Sequence, residues 1–181
     1  MPTPSIITVL DQIAWSYANL ARAHAALSAG RTAYSQIDHI VRARLFGGLR
    51  SGKMAVGSLY DDERIKLLSD RACVYCGHIG AMTMDHLIPR IRNGADDGAN
   101  LVLACRPCNS SKCDTDLLLC YNKRDAFPSL LLLRRYLKLV ASHCEREDVL
   151  GLKIDAPQLD RLPFSVDRLP LRYPPLGELR L

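Results

Sequence analysis

The 181-residue chain has no long apolar run. Its longest unbroken leucine stretch covers residues 130–133, far short of the ~18 residues a membrane span needs, which excludes a membrane protein. Aromatic residues are scarce, at 6% with a single Trp, and this argues against a base-stacking platform for single strands. The start, Met1-Pro2-Thr3-Pro4-Ser5, lacks a basic stretch followed by an apolar one, so no secretory signal is expected. Neither charge sign dominates: 24 Lys and Arg against 19 Asp and Glu leave +5, spread along the chain. Nucleic acid is permitted as a partner without being demanded. What is present is an ordinary globular mixture, 48% hydrophobic and 24% charged, with seven cysteines. In the cytoplasmic setting expected here, those thiols bind metal or stay reduced rather than form a disulfide framework.

Apolar residues at helical spacing predict a helix over residues 11–29, stopped by Gly30, and a second over 33–46, with Tyr34, Ile37, Ile40, Val41 and Leu45 on one face and Gly47-Gly48 ending it. Asp61-Asp62-Glu63 opens a short helix towards Leu68. Residues 1–70 thus read as a helical N-terminal region. Residues 71–125 have another texture, with glycines and short apolar runs that predict tight turns and small strands before helix returns at Asp114. A long helix is expected from Pro128 to Leu150, within a segment spanning 126–151. Leu130, Leu133, Leu137, Val140, Ala141 and Cys144 form its stripe, and Arg134, Arg135 and Lys138 lie off it on a solvated face. Five prolines make residues 152–181 an extended strap that packs on something.

Cys73-x-x-Cys76 and Cys105-x-x-Cys108 each let one turn of chain present two sulfurs to a tetrahedral ion. The 28 residues between the pairs exceed the ~12 to 20 of common zinc-finger patterns, so something is housed between the knuckles. Four thiolates close the coordination shell, which makes the expected zinc structural. The other three cysteines, Cys113, Cys120 and Cys144, are expected to be packed thiols.

Between the pairs stands Met84-Asp85-His86-Leu87-Ile88-Pro89, followed by Asn100-Leu101 and then Cys108-Asn109-Ser110-Ser111-Lys112. A carboxylate beside an imidazole is a pairing suited to phosphodiester hydrolysis, one group binding a hard cation and the other taking a proton from water. In this order the elements resemble the zinc-containing branch of the HNH endonucleases, over residues 71 to about 116. The resemblance implies an α+β, mainly helical fold: a ββα-metal core stabilised by a four-cysteine zinc site, flanked by helices and the Pro-rich strap. It implies His86 as general base, Asp85 and Asn109 as ligands of a catalytic Mg²⁺ or Mn²⁺, and Asn100 as a brace that orients the histidine. Lys112, Arg90 and Arg92 are candidate phosphate contacts. Cys113 departs from the family, which often has Gly after the Lys.

The leading expectation is a metal-dependent endonuclease acting on DNA, with RNA left open. It could act as a homodimer or as the nuclease subunit of a larger assembly, such as a bacterial antiviral or restriction system, docked through the helical start and the strap. The competing expectation is a zinc-stabilised nucleic-acid-binding module without catalysis.

Overall fold

The structure, a computed structural model, describes residues 4–57 and 71–181; the short helix expected over 61–68 lies outside them. Helix α1 (Val9–Ser28) starts two residues before the expected Asp11 because Thr8 and Asp11 form a reciprocal capping box. Asp11 also pairs with Arg50 at 2.8 Å, joining the two helices. Fourteen α1 residues are buried, among them Gln12, Ser16 and Asn19, so this helix is surrounded rather than laid on a surface.

Helix α2 (Gln36–Arg50) differs from expectation at both ends. Ser35 and Asp38 make a second capping box and delay its start, and the helix runs through Gly47-Gly48 because buried Leu49 and the Arg50–Asp11 pair hold its last turn on the core. The chain turns instead at Gly52, where φ is +71°. The expected apolar face is also wrong: Ile37, Ile40 and Val41 are exposed, whereas Asp38, Arg42, Phe46 and Leu49 face inward. Aromatic and ionic partners on α1, including Trp15 edge-on to Phe46 at 5.2 Å, outweigh the aliphatic stripe.

Strands β1 (Met82–His86) and β2 (Leu101–Cys105) form an antiparallel pair, with Asp85 opposite Val102 and His86 opposite Leu101. Helix α3 (Arg106–Lys112) follows directly, so helix returns eight residues before Asp114. Helix α4 (Leu117–Lys123) is capped by Asp116, which accepts from the Leu118 and Leu119 amides. Helix α5 (Leu130–Arg146) starts after the cap Ser129 and stops four residues short of Leu150. Asp148 turns left-handed at φ +52°, and the Val149 amide folds back to the Cys144 carbonyl at 3.0 Å. The stripe residues Leu130, Leu133, Leu137, Val140 and Cys144 are all buried. Arg135 and Lys138 are buried too, which corrects the solvated-face reading.

The strap lies on its own chain. A proline-rich segment cannot pair its carbonyls in a ladder, so other donors must reach them. Helix α1 supplies them: Gln12 Nε2 donates to Leu169 O at 2.8 Å, Trp15 Nε1 to Leu171 O at 3.0 Å and Asn19 Nδ2 to Leu171 O at 3.3 Å. Tyr173 OH returns a bond to Ser16 O at 3.0 Å. The strap thus packs on α1 through one side, while many of its residues stay exposed. One apolar cluster draws on α1, α2, the cysteine segment, α4, α5 and the strap. Among the described residues no helix is long and apolar enough to cross a membrane.

Candidate active site

The first cysteine pair sits on a tight turn. Gly77 takes φ +75°, its amide donates to Cys73 O at 2.8 Å, and the Cys73 amide donates to His78 O at 2.8 Å. The Val74 amide then docks this turn on β2 through Leu103 O at 3.0 Å. Cys105 ends β2 and Cys108 lies in the first turn of α3, so strand and helix deliver the second pair. All four sulfurs fall within 4.8 Å of one another, with Cys76 Sγ and Cys105 Sγ 3.8 Å apart. Four sulfurs each about 2.3 Å from one tetrahedral ion are about 3.8 Å apart, so the set fits zinc. Burial opposes ionisation of Cys73, but the amides of Cys105, Cys76 and Tyr75 hold its thiol at about 7, while burial and the neighbouring Cys105 and Cys76 thiols push Cys108 up. A divalent cation relieves that conflict by taking all four as thiolates.

His86 ends β1 with a partly exposed ring, and its Nε2 lies 2.8 Å from Asp96 Oδ1. The hydrogen bond from His86 and the nearby Arg90 guanidinium, 3.5 Å away, keep the Asp96 carboxyl below the usual carboxylate range. An ionised Asp96 can only accept, so Nε2 is the donor in this hydrogen bond. Sequence reading missed Asp96. It is one of two adjacent acids in a polar loop, and nothing in its spacing marks it.

Asn100 is fully buried and holds that loop closed. Its Oδ1 accepts from the Ile88 amide, and its Nδ2 donates to Ile88 O and Ala95 O, all at 2.8 Å. Its side-chain bonds all go to backbone groups of that loop, an arrangement that fits the brace the resemblance implies. The same loop needs Gly94, because a Cβ there would lie 1.9 Å from Ile88 O. From outside the loop, Arg135 Nε of α5 donates to Ala99 O at 2.7 Å.

Asp85 and Lys112 depart from expectation. Lys112 is 1% exposed, and its Nζ lies 3.3 Å from both Asp85 oxygens and 2.6 Å from His86 O. It is not placed to hold a phosphate. Buried Asp85 also accepts from Tyr75 OH at 2.5 Å, so both its oxygens are engaged within the protein and it does not fit the role of an open cation ligand in this arrangement. Asn109 Nδ2 donates to Thr83 Oγ1 at 3.0 Å and Met84 O at 3.3 Å, and its Oδ1 takes part in neither bond. Arg90 and Arg92 are exposed on the loop that follows β1, with Arg90 3.5 Å from Asp96 of the His86–Asp96 pair. Cys113 is exposed rather than packed, whereas Cys120 and Cys144 are buried.

Tyr75, inside the first cysteine pair, is a second residue that sequence reading missed. Its ring is buried, its hydroxyl holds Asp85, and its carbonyl accepts from Arg180 of the strap at 2.9 Å. Residues 73–115 match the family HNH, described as HNH endonuclease. No curated protein and no solved structure shows significant similarity to the chain.

Proposed function

We propose, from the premise that residues 73–115 form an HNH endonuclease domain of nuclease type, that this protein hydrolyses phosphodiester bonds in DNA with His86 as the general base. The observation that carries this reading is the His86–Asp96 pair, which leaves an imidazole nitrogen free to act at a partly exposed edge of the ββα unit. A water donates its proton to His86 Nδ1 while its oxygen forms a bond to phosphorus. The bond from phosphorus to the 3′-oxygen breaks, that oxygen takes a proton from solvent, and the ends are a 5′-phosphate and a 3′-hydroxyl. Exposed Arg90 and Arg92 are the phosphate contacts of this reading. A bound Mg²⁺ or Mn²⁺ would supply charge neutralisation at the phosphate. Asn109 Oδ1 suits such an ion and Asp85 does not, as it is paired here.

That pairing favours a second reading, a zinc-stabilised module that binds nucleic acid without cutting it. A place as nuclease subunit of a larger assembly, such as a bacterial antiviral or restriction system, belongs to this proposal. The free thiols outside the zinc set suit a reducing, cytoplasmic setting.

The deciding experiment incubates purified protein with supercoiled plasmid, and in parallel with RNA, in Mg²⁺, Mn²⁺ or EDTA, using wild type and His86→Ala. Nicking or linearisation by wild type alone supports the nuclease. Equal binding by both proteins with no cleavage under any metal condition supports the second reading. Cys73→Ser is expected to release zinc and unfold the segment, whereas His86→Ala keeps the fold, as circular dichroism and zinc content would report.

A further inference from the structure

Three guanidinium groups meet where the C-terminal half of α1 faces the start of α2. The Arg22 guanidinium lies over the Tyr34 ring, 3.9 Å from its centre, and that of Arg42 lies over Trp15 at 4.6 Å. Arg31 reaches Asp38 at 2.6 Å. Arg22 and Arg42 are only 9% and 7% exposed. Their polar contacts are with neutral groups: Arg22 with His39 Nδ1 at 3.4 Å, and Arg42 with Asn19 Oδ1 at 3.3 Å. Among the described residues, the carboxylate that acts on the cluster, Asp38, is already taken by Arg31 and by the Ser35 amide and hydroxyl.

Among the described residues five buried side-chain polar atoms have no hydrogen-bond partner, and four of them are here: Nε of Arg22, Arg31 and Arg42, and the Tyr34 hydroxyl. All four can donate, and three of them, the guanidinium nitrogens, can do nothing else. A buried cation without a counter-charge is costly, and a buried donor left unpaired adds to that cost. Aromatic faces return part of it but accept nothing from Nε. Burial, then the charges of Arg22 and Arg42, hold His39 below its usual range, so the imidazole adds no compensating charge of either sign. The group this cluster lacks is small, anionic and rich in acceptors.

We propose that Arg22, Arg31, Arg42 and Tyr34 form a binding site for a phosphate-type oxyanion, either free phosphate or a phosphate of a nucleic acid backbone. Arginine forks match such an anion with paired N–H donors, as lysine does not. Entry is from the rim, where the Arg31 side chain is 37% exposed and Tyr34 and His39 are half-buried. The site lies outside the segment that carries His86, and it stands whether or not that segment cuts nucleic acid.

Trp15 is the only tryptophan in the chain and lies under Arg42, so its fluorescence reports on the cluster. Inorganic phosphate is titrated into the zinc-loaded protein at constant ionic strength, with chloride as control. A saturable change in Trp15 emission specific to phosphate is expected, with at least tenfold weaker half-saturation in Arg22→Gln, a variant that leaves the reporter contact in place. Circular dichroism checks the fold of that variant. Arg42→Lys, which keeps the charge but loses the fork, serves as a second variant and is expected to weaken phosphate similarly. No saturable response beyond chloride, or an undiminished response in both variants, overturns the site. A DNA duplex without terminal phosphates, titrated in EDTA, separates the sources. An Arg22-dependent response at lower phosphate-equivalent concentration upholds a nucleic acid ligand, and a response to inorganic phosphate alone upholds free phosphate.

Discussion

Asp96 Oδ1 stands 2.8 Å from His86 Nε2, and on the proposed reading this contact leaves Nδ1 as the nitrogen that acts as the base. Asp96→Asn keeps the shape but loses the charge that selects the tautomer. It is expected to lower kcat about tenfold or more, short of the roughly 10²- to 10⁴-fold loss for removing the general base in His86→Ala, with KM little changed. Single-turnover cleavage of a labelled duplex measures this. Wild-type kcat in Asp96→Asn would remove Asp96 from the mechanism.

Lys112 and Asp85 form a buried ion pair, and removing one partner strands the other. Lys112→Met is expected to destabilise the protein by about 3–5 kcal/mol, the range for breaking such a pair. The double variant Lys112→Met/Asp85→Asn should recover part of that loss. Thermal melts of the three proteins test this. Unchanged stability in Lys112→Met combined with weaker DNA binding would instead make Lys112 the phosphate contact that its sequence position suggests.

Cys113 holds φ +47° and ψ −132°, a conformation that glycine adopts at little cost and other residues do not. The resemblance to a family that often has Gly at this position thus has a backbone explanation. Cys113→Gly is expected to raise stability by up to about 1 kcal/mol, readable as a higher Tm. A lower Tm would mean that the thiol makes a contribution its exposure does not suggest.

Acid should loosen the contact between α1 and α2 in two stages. Burial and the charges of Arg22 and Arg42 lower His39 from 6.5, so the unfolded chain takes up its proton first. Stability present above about pH 6.5 is then lost as pH falls through the folded value. Burial works to raise Asp38, but the Ser35 hydroxyl and amide and the Arg31 guanidinium hold it below 3.8. Its contribution is present above that value and is lost at still lower pH, as pH falls through the depressed one. Melting temperature against pH, for wild type and His39→Gln, checks the assignment: the variant should lack the first decline. A first decline of equal size in His39→Gln would place it elsewhere.

The chemistry of this chain was more legible than its packing. Ligand spacing is a local property of sequence, so Cys73, Cys76, Cys105 and Cys108 could be read as one set, and the structure brings their sulfurs together. His86 and Asn100 come from one short motif, and the structure sets them at the end of β1 and in the loop that follows, with Asn100 bonded to the Ile88 backbone. Helix faces were not. Ile37, Ile40 and Val41 have the right period for a buried stripe but lose the core position to Arg42 and Phe46, whose partners sit on another helix. Arg135 read as a solvated charge and Lys112 as a phosphate contact because their acceptors, Ala99 O and Asp85, are 36 and 27 residues away in sequence. Long-range satisfaction of buried charge leaves no periodic trace.

The hold of Arg135 and Arg180 on the nuclease segment limits how far that segment can travel. A cassette cut at residues 73 and 115 would keep the four sulfurs, the imidazole and the brace. It would leave behind the guanidinium that ties down Ala99 and the one that grips the Tyr75 carbonyl. Transplanted into another protein, the motif would keep its candidate groups and arrive mechanically slack.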